Sequence, residues 1–174
     1  MEFRLSGSGG QGLILAGIIL AEAAILDGKN AVQSQSYGPE ARGGASRAEV
    51  IISDEDIDYP KVSKPEVLLT LTEEALKKYS VDLEEDCTII LDSSIENKDF
   101  LNKGKIIDIP ILKTAKEKIG KTIVANIIAL GALVAATKVV SKEAIEKAVL
   151  ARVPKGTEEL NRKALYAGFE LVEE

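Results

Sequence analysis

The stretch that decides the fold runs from residue 2 to residue 27 and reads EFRLSGSGGQGLILAGIILAEAAILD. Charged and apolar residues alternate over positions 2–5, which predicts a short strand. Residues 7–12 (GSGGQG), here called the glycine loop, follow at once. An apolar helix is predicted from about Gln11 to Asp27, with Gly28 as its stop. Strand, glycine turn and helix in this order indicate an α/β protein.

The rest of the chain continues to alternate strand-like and helix-like segments. We predict strands at residues 31–36, 45–53, 67–71, 88–92 and 105–109, and helices at 73–79, 113–119, 122–137, 141–152 and from about 157. No repeat, low-complexity tract or linker interrupts the pattern. The sequence therefore predicts one three-layer, Rossmann-like domain over residues 1–174, with a mostly parallel sheet.

Two of the predicted helices, residues 11–27 and 122–137, are apolar nearly all round. Such helices are buried on several sides. One small domain has little interior in which to hide both, so we expect the chain to have large interfaces with other subunits.

Charge and hydropathy exclude several kinds of partner. The chain has 174 residues with 22 Lys+Arg and 28 Asp+Glu, a net charge of −6, which disfavours nucleic acid. Its longest uncharged apolar run, residues 12–21, is shorter than the roughly 20 residues that span a bilayer, so no membrane partner is expected. A single cysteine fits a cytoplasmic location.

The composition also limits the chemistry that the chain can perform. Without histidine there is no imidazole base and no His-ligated metal. Cys87 alone can hold neither an iron–sulfur cluster nor an internal disulfide. We therefore expect no catalytic residue and no metal site here; if the protein belongs to an enzyme, much of the chemistry lies on other chains.

The glycine loop fits the G-x-G-x-x-G dinucleotide pattern. Glycines allow close backbone approach, and the start of the following helix offers free N–H groups to an anion such as phosphate. Residues 33–36 (QSQS) lack the acid that would hold the ribose of NAD, which disfavours that cofactor. Alternatively, the glycines only let the helix pack tightly on the strand. The candidate binding residues are Gly7, Gly9, Gly10, Gln11 and Gly12.

A second loop, residues 36–44 (SYGPEARGG), combines an aromatic, an acid, a base and three glycines. We expect it to open beside the glycine loop, at the carboxyl end of a neighbouring strand, where ligands of α/β sheets bind. Arg42 is suited to gripping a phosphate or carboxylate, with Glu40 orienting it. A local Glu40–Arg42 ion pair that shapes the turn is the alternative. The candidate binding residues here are Tyr37, Gly38, Glu40, Arg42, Gly43 and Gly44.

Three further polar positions have structural interpretations. Asp92 is expected to cap or turn the chain after a strand. Asn126, in an otherwise apolar helix, predicts a buried hydrogen bond to a loop. Cys87 has no basic neighbour in sequence and is expected to be an inert thiol.

These motifs together resemble the gamma subunit of the 2-oxoacid:ferredoxin oxidoreductases. The resemblance rests on the opening GSGGQGLILAGIILAEAA, the loop SQSYGPEARGGASRAEVIIS, DIDYPKV at residues 56–62, NIIALG at 126–131 and NRKALYAG at 161–168. It covers nearly the whole chain. The SYGPEARGG form is most similar to the 2-oxoglutarate branch, with the pyruvate and indolepyruvate branches as alternatives.

The resemblance implies a multi-subunit enzyme that converts a 2-oxoacid and coenzyme A to acyl-CoA, carbon dioxide and reduced ferredoxin. It implies alpha, beta and ferredoxin-like delta subunits as partners, which carry the thiamine diphosphate and the iron–sulfur clusters. This chain would help form the coenzyme A entry and the subunit interface, and would have no turnover alone. Two alternatives remain open: a free nucleotide- or coenzyme A-binding module, and a structural subunit whose glycine loops only dock a partner.

Overall fold

A computed structural model of the chain describes residues 1–36 and 44–173. Its strands are β1 Glu2–Ser8, β2 Asn30–Gln35, β3 Ala45–Ser53, β4 Val67–Thr70, β5 Thr88–Asp92 and β6 Lys105–Ile109. They form one sheet in the order β2-β3-β1-β4-β5-β6. The strands β1, β4, β5 and β6 are parallel, whereas β3 is antiparallel to both β1 and β2. The prediction of an α/β fold with a mostly parallel sheet is confirmed.

The position of β3 corrects one prediction. β2 runs in the same direction as β1, but β3 separates them, so the two loops leave the same edge of the sheet from strands that are not neighbours. The physical reason is the short connection over residues 36–44. Short connections favour antiparallel pairing of consecutive strands, which places β3 beside β2.

The helices are α1 Leu13–Leu26, α2 Glu73–Tyr79, α3 Ile111–Thr114, α4 Ala125–Thr137, α5 Lys142–Arg152 and α6 Glu158–Glu173. α3 continues into a π-helical turn, Ala115–Ile119, and a 3-10 turn, Thr122–Val124, precedes α4. Ser141 is the N-cap of α5, because its hydroxyl accepts the Ala144 N–H at 3.1 Å. α3 starts earlier than predicted, where the Asp92 carboxylate accepts the Leu112 N–H at 2.7 Å.

The two faces of the sheet are covered unequally. On one face α1 packs on β1, β2 and β3, α5 packs on α1, and α4 and α6 pack against each other, all in one apolar core. On the other face α2 and the loops after it cover a smaller core around Leu68, Ile89 and Leu91. The thicker side carries most of the apolar surface that the chain buries.

The two apolar helices are buried within the chain itself. Every residue of α4 from Ala125 to Val134 is buried, and α1 exposes large apolar side chains only at its end, at Ile25 and Leu26. The apolar character of these helices is therefore accounted for within the chain and does not by itself indicate an interface with other subunits. The physical reason is that α5 and α6 form an outer layer over α1 and α4. No helix of the described residues is long and apolar enough to cross a membrane.

Candidate functional site

The glycine loop lies at the carboxyl end of β1 and leads directly into α1. The Gln11 N–H donates to the Ser8 carbonyl at 3.2 Å, which closes the turn. Gly12 is the N-cap of α1 and has φ 75° and ψ 24°, a left-handed conformation that favours glycine. It supplies no side-chain cap, so the first N–H groups of α1 lack the usual intrahelical or capping partner.

Side chains of neighbouring residues lie close to Gly7 and Gly12. A Cβ at Gly7 would lie 2.4 Å from Gln11 Oε1 and 2.8 Å from Leu13 Cδ1. A Cβ at Gly12 would lie 2.6 Å from Asn126 Nδ2. These short distances support the alternative interpretation for Gly7 and Gly12, in which the glycines let the helix pack closely on the strand.

Two further N–H groups of the loop are also hydrogen-bonded. The Gln11 side chain folds back, and its Oε1 accepts the Ser8 N–H at 2.8 Å. The Gly9 N–H donates to the carbonyl of Gly44 at 3.0 Å. This second bond ties the glycine loop to the end of the loop 36–44, so the two predicted loops do meet there.

Gly10 has a different environment from the other glycines of the loop. It is exposed at the tip with φ 104°, and a Cβ there would meet no atom within 4 Å. The backbone at Gly10 is therefore open to close approach by a ligand or a partner chain.

Two clefts flank this tip. The first, of about 290 Å³, is lined by Gly9, Gly10, Gly12, Leu13, Ile14, Ser36 and Ser46. The second, of about 360 Å³, lies between the glycine loop and the starts of α4 and α6; its walls are mainly apolar and include Leu15, Ile123, Val153 and Leu160. Ile123 is 80% exposed, so the second cleft presents an apolar surface to the outside.

In the first cleft, one hydroxyl has no hydrogen-bond partner among the described residues. The Oγ of Ser36 is shut off from solvent and makes no hydrogen bond in the part of the chain that the structure describes. Ser36 directly precedes the second predicted loop. Five of the candidate residues in that loop, Tyr37, Gly38, Glu40, Arg42 and Gly43, lie outside the described residues.

The prediction that Asn126 bonds to a loop is confirmed. Asn126 is 6% exposed, and its Nδ2 donates to the carbonyl oxygen of Gly12 at 3.1 Å. The same carbonyl accepts the Ala16 N–H at 3.1 Å, the first hydrogen bond of α1. Asn126 therefore joins α4 to the point where the glycine loop becomes a helix.

Asp92 and Cys87 have structural environments. Asp92 is 1% exposed and accepts the N–H groups of Ser94, at 2.9 Å, and Leu112, which confirms its role as a turn and cap residue. Burial raises the pKa of the Cys87 thiol, which disfavours the reactive thiolate. In residues 1–36 and 44–173, no group of three or more His, Cys, Asp or Glu side chains is placed to hold a metal ion.

The second cleft was missed by the sequence analysis. Ile123, Val153 and Leu160 follow the glycine loop by more than a hundred residues, and only the packing of α4 and α6 brings them beside it. Ile123 gives no signal in the sequence, since it lies in an apolar segment, and its outward-facing side chain is seen in the structure.

The comparisons with known proteins establish the family. Residues 2–171 match the model of the pyruvate ferredoxin/flavodoxin oxidoreductases, and the chain belongs to this family. The 2-oxoglutarate synthase subunit KorC of Methanocaldococcus jannaschii is 52% identical, over 99% of this chain and 94% of the relative.

Two solved structures share the fold over nearly the full length. The gamma subunit of a keto/oxoacid ferredoxin oxidoreductase from Geobacter sulfurreducens is 56% identical, with a TM-score of 0.87 over 99% of this chain and 95% of that chain. The pyruvate oxidoreductase subunit PORC of Thermotoga maritima is 32% identical, with a TM-score of 0.82 over 98% of this chain and 96% of that chain.

Packing around the glycine loop predicts different effects for two alanine substitutions. Gly12→Ala and Gly10→Ala both put a side chain at positive φ, which costs about 1 kcal/mol. Only Gly12→Ala also crowds Asn126, so we expect it to lower the free energy of unfolding by about 2–3 kcal/mol in total. Urea unfolding followed by circular dichroism measures both. Equal losses would contradict the tight packing of Asn126 on Gly12.

Proposed function

We propose that this chain is the gamma subunit of a 2-oxoglutarate:ferredoxin oxidoreductase and that its glycine-loop edge helps to admit coenzyme A. The observation that carries the proposal is similarity over nearly the full length to a 2-oxoglutarate synthase subunit and to a gamma subunit of this class. The identity of 52% to the 2-oxoglutarate subunit against 32% to the pyruvate subunit favours the 2-oxoglutarate branch. The pyruvate and indolepyruvate branches are the alternatives.

The proposed complex divides the chemistry between subunits. The reaction takes a 2-oxoacid and coenzyme A to acyl-CoA and carbon dioxide, and the electrons reduce ferredoxin. We assign thiamine diphosphate and the iron–sulfur clusters to the alpha, beta and ferredoxin-like delta subunits, since one cysteine cannot hold a cluster. We expect the complex in the cytoplasm, where a single thiol stays reduced.

Three features of the described residues support a role in coenzyme A entry. The first N–H groups of α1 and the positive end of its dipole favour a phosphate, and coenzyme A carries several. Gly10 leaves the tip of the loop open to close approach. The first cleft adds the Ser36 hydroxyl, which has no partner within residues 1–36 and 44–173. Arg42, from the loop that joins the glycine loop at Gly44, is the proposed phosphate-binding cation.

Titration of the isolated chain with coenzyme A, ADP and NADH by calorimetry tests this proposal. We expect saturable binding of coenzyme A or ADP, weakened at least about tenfold by Arg42→Ala, which removes a positive charge, or by Gly9→Val, which puts a bulky side chain at the first cleft. Gly28→Ala is the control for a glycine substitution away from the site, since Gly28 has open surroundings and lies at the other end of α1. The isolated chain should show no ferredoxin reduction with 2-oxoglutarate.

Other outcomes of this titration would favour other functions. Binding of NADH alone would contradict the proposal and would favour a dinucleotide-binding site at the glycine loop. No binding of any ligand would favour a docking role for the loops. The exposed Ile123 and the apolar second cleft are the observations that favour this second candidate function.

A further inference from the structure

The Gly12 carbonyl is held from two sides. It accepts the Ala16 N–H of its own helix and the Nδ2 of Asn126 from α4, each at 3.1 Å. A carbonyl oxygen has two lone pairs, so these two donors use its full capacity. Asn126 Oδ1 accepts the Ile127 N–H at 3.0 Å, which leaves the amide nitrogen of Asn126 facing Gly12.

Fixing this carbonyl also fixes a donor on the opposite side of the same peptide. The Gly12 C=O and the Leu13 N–H belong to one planar trans peptide unit and point in opposite directions. The Leu13 N–H is the first donor of α1 without an intrahelical partner, and Leu13 lines the first cleft beside Ser36. Because Gly12 is left-handed and has no side chain, nothing within residue 12 itself holds this peptide in place.

We propose that Asn126 is a positioning residue, which aims the Leu13 N–H into the first cleft and so sets the affinity of the site for a phosphate group of coenzyme A. The proposal rests on the proposed function of the glycine-loop edge. Asn126 touches no ligand itself; it acts through the Gly12 peptide. Asn126 also lines the second cleft. The second cleft and the peptide that carries the Leu13 N–H are therefore linked through one side chain.

A matched control is available in the same cleft. Asn161 is likewise 6% exposed, but its Nδ2 donates to the Thr157 carbonyl at 3.0 Å and to the Thr157 hydroxyl at 3.2 Å. Both bonds stay at the start of α6 and do not reach the glycine loop. Asn161→Ala therefore removes the same side chain, at the same burial, without releasing the Gly12 peptide.

The test uses the assembled oxidoreductase, with KM for coenzyme A and kcat measured by ferredoxin reduction. Asn126→Ala should raise the KM for coenzyme A about tenfold and leave kcat within about twofold, because a Leu13 N–H that is no longer held in position forms a weaker hydrogen bond to the charged phosphate. Asn161→Ala should leave this KM unchanged. Asn126→Leu, which fills the same space without a donor, should match Asn126→Ala and provides the test if the alanine variant fails to assemble.

The outcomes separate this inference from the function on which it rests. If Gly9→Val raises the KM for coenzyme A but Asn126→Ala and Asn126→Leu do not, Asn126 is not a positioning residue and the proposed function stands. Equal KM changes for Asn126→Ala and Asn161→Ala would also overturn the inference, because a general loss of stability would then explain both. If even Gly9→Val leaves the KM unchanged in an active complex, the coenzyme A role of the loop itself fails.

Discussion

Gly168→Ala is expected to lower the free energy of unfolding by about 3 kcal/mol, although alanine is the better helix former by about 1 kcal/mol. Gly168 lies in α6 where this helix crosses α4. A Cβ at position 168 would lie 2.0 Å from the Ile128 carbonyl oxygen and 2.9 Å from the Ala132 backbone nitrogen. Both are backbone atoms, so the whole of α4 must move away, and the core between the helices must open.

The same crossing offers a second variant and a control. Gly131 lies on the α4 side of this crossing, and a Cβ at position 131 would lie 2.2 Å from the Leu165 carbonyl oxygen. Gly131→Ala should therefore be similarly destabilising. Gly120→Ala is the control: it has φ 81° and no atom within 4 Å, so only the backbone conformation costs free energy, about 1 kcal/mol. Urea unfolding compares the three. If Gly168→Ala costs no more than Gly120→Ala, the helices are not in backbone contact.

Replacing Arg4 by methionine is expected to cost about 3–5 kcal/mol, because it leaves a buried carboxylate without its main partner. The Arg4 side chain is 6% exposed and that of Glu49 12%, and Arg4 Nε donates to Glu49 Oε1 at 2.8 Å. Arg4 also donates to the carbonyls of Tyr79, at 3.1 Å, and Val81, at 3.2 Å. One guanidinium thus joins β1, β3 and the end of α2.

Two comparisons isolate the effect of the unpaired charge. The double variant Arg4→Met/Glu49→Leu should recover a large part of the loss, because the buried carboxylate is gone as well. Lys77→Met removes an exposed ion pair with Glu73, 2.6 Å long, and should cost no more than about 0.5 kcal/mol. Thermal or urea unfolding measures all three. A loss for Arg4→Met as small as that for Lys77→Met would contradict a buried, structural ion pair.

Local signals were sufficient for most of the elements. The bounds of β3, α2 and β6 agree with the prediction, since β-branched and apolar residues, the Thr72 cap and Pro110 mark them. The start of α3 differs, because its cap is the carboxylate of Asp92, twenty residues earlier in the chain. A cap supplied from another strand leaves no mark in the segment that it caps.

The candidate site was only partly predictable, because contacts between distant parts of the chain leave no local signal in the sequence. The glycine loop could be placed between a strand and a helix, and Asn126 could be expected to anchor a loop. That this loop is the glycine loop, through Gly12, follows from the packing of α4 against α1. The alternation over positions 2–5 did not indicate that Arg4 is buried, because alternation shows which face of a strand a side chain is on but not what covers that face.

The sequence by itself determined the α/β class, the order of the elements and the glycine turn before α1, because propensities, caps and glycine conformations act over a few residues. Only the tertiary structure decided that β3 inserts between β2 and β1, that α5 and α6 hide the apolar helices α1 and α4, and that Gly131 and Gly168 meet. These pairings join residues far apart in the chain. They are selected by the apolar area buried and the hydrogen bonds satisfied in the whole fold, and no short stretch of sequence carries that information.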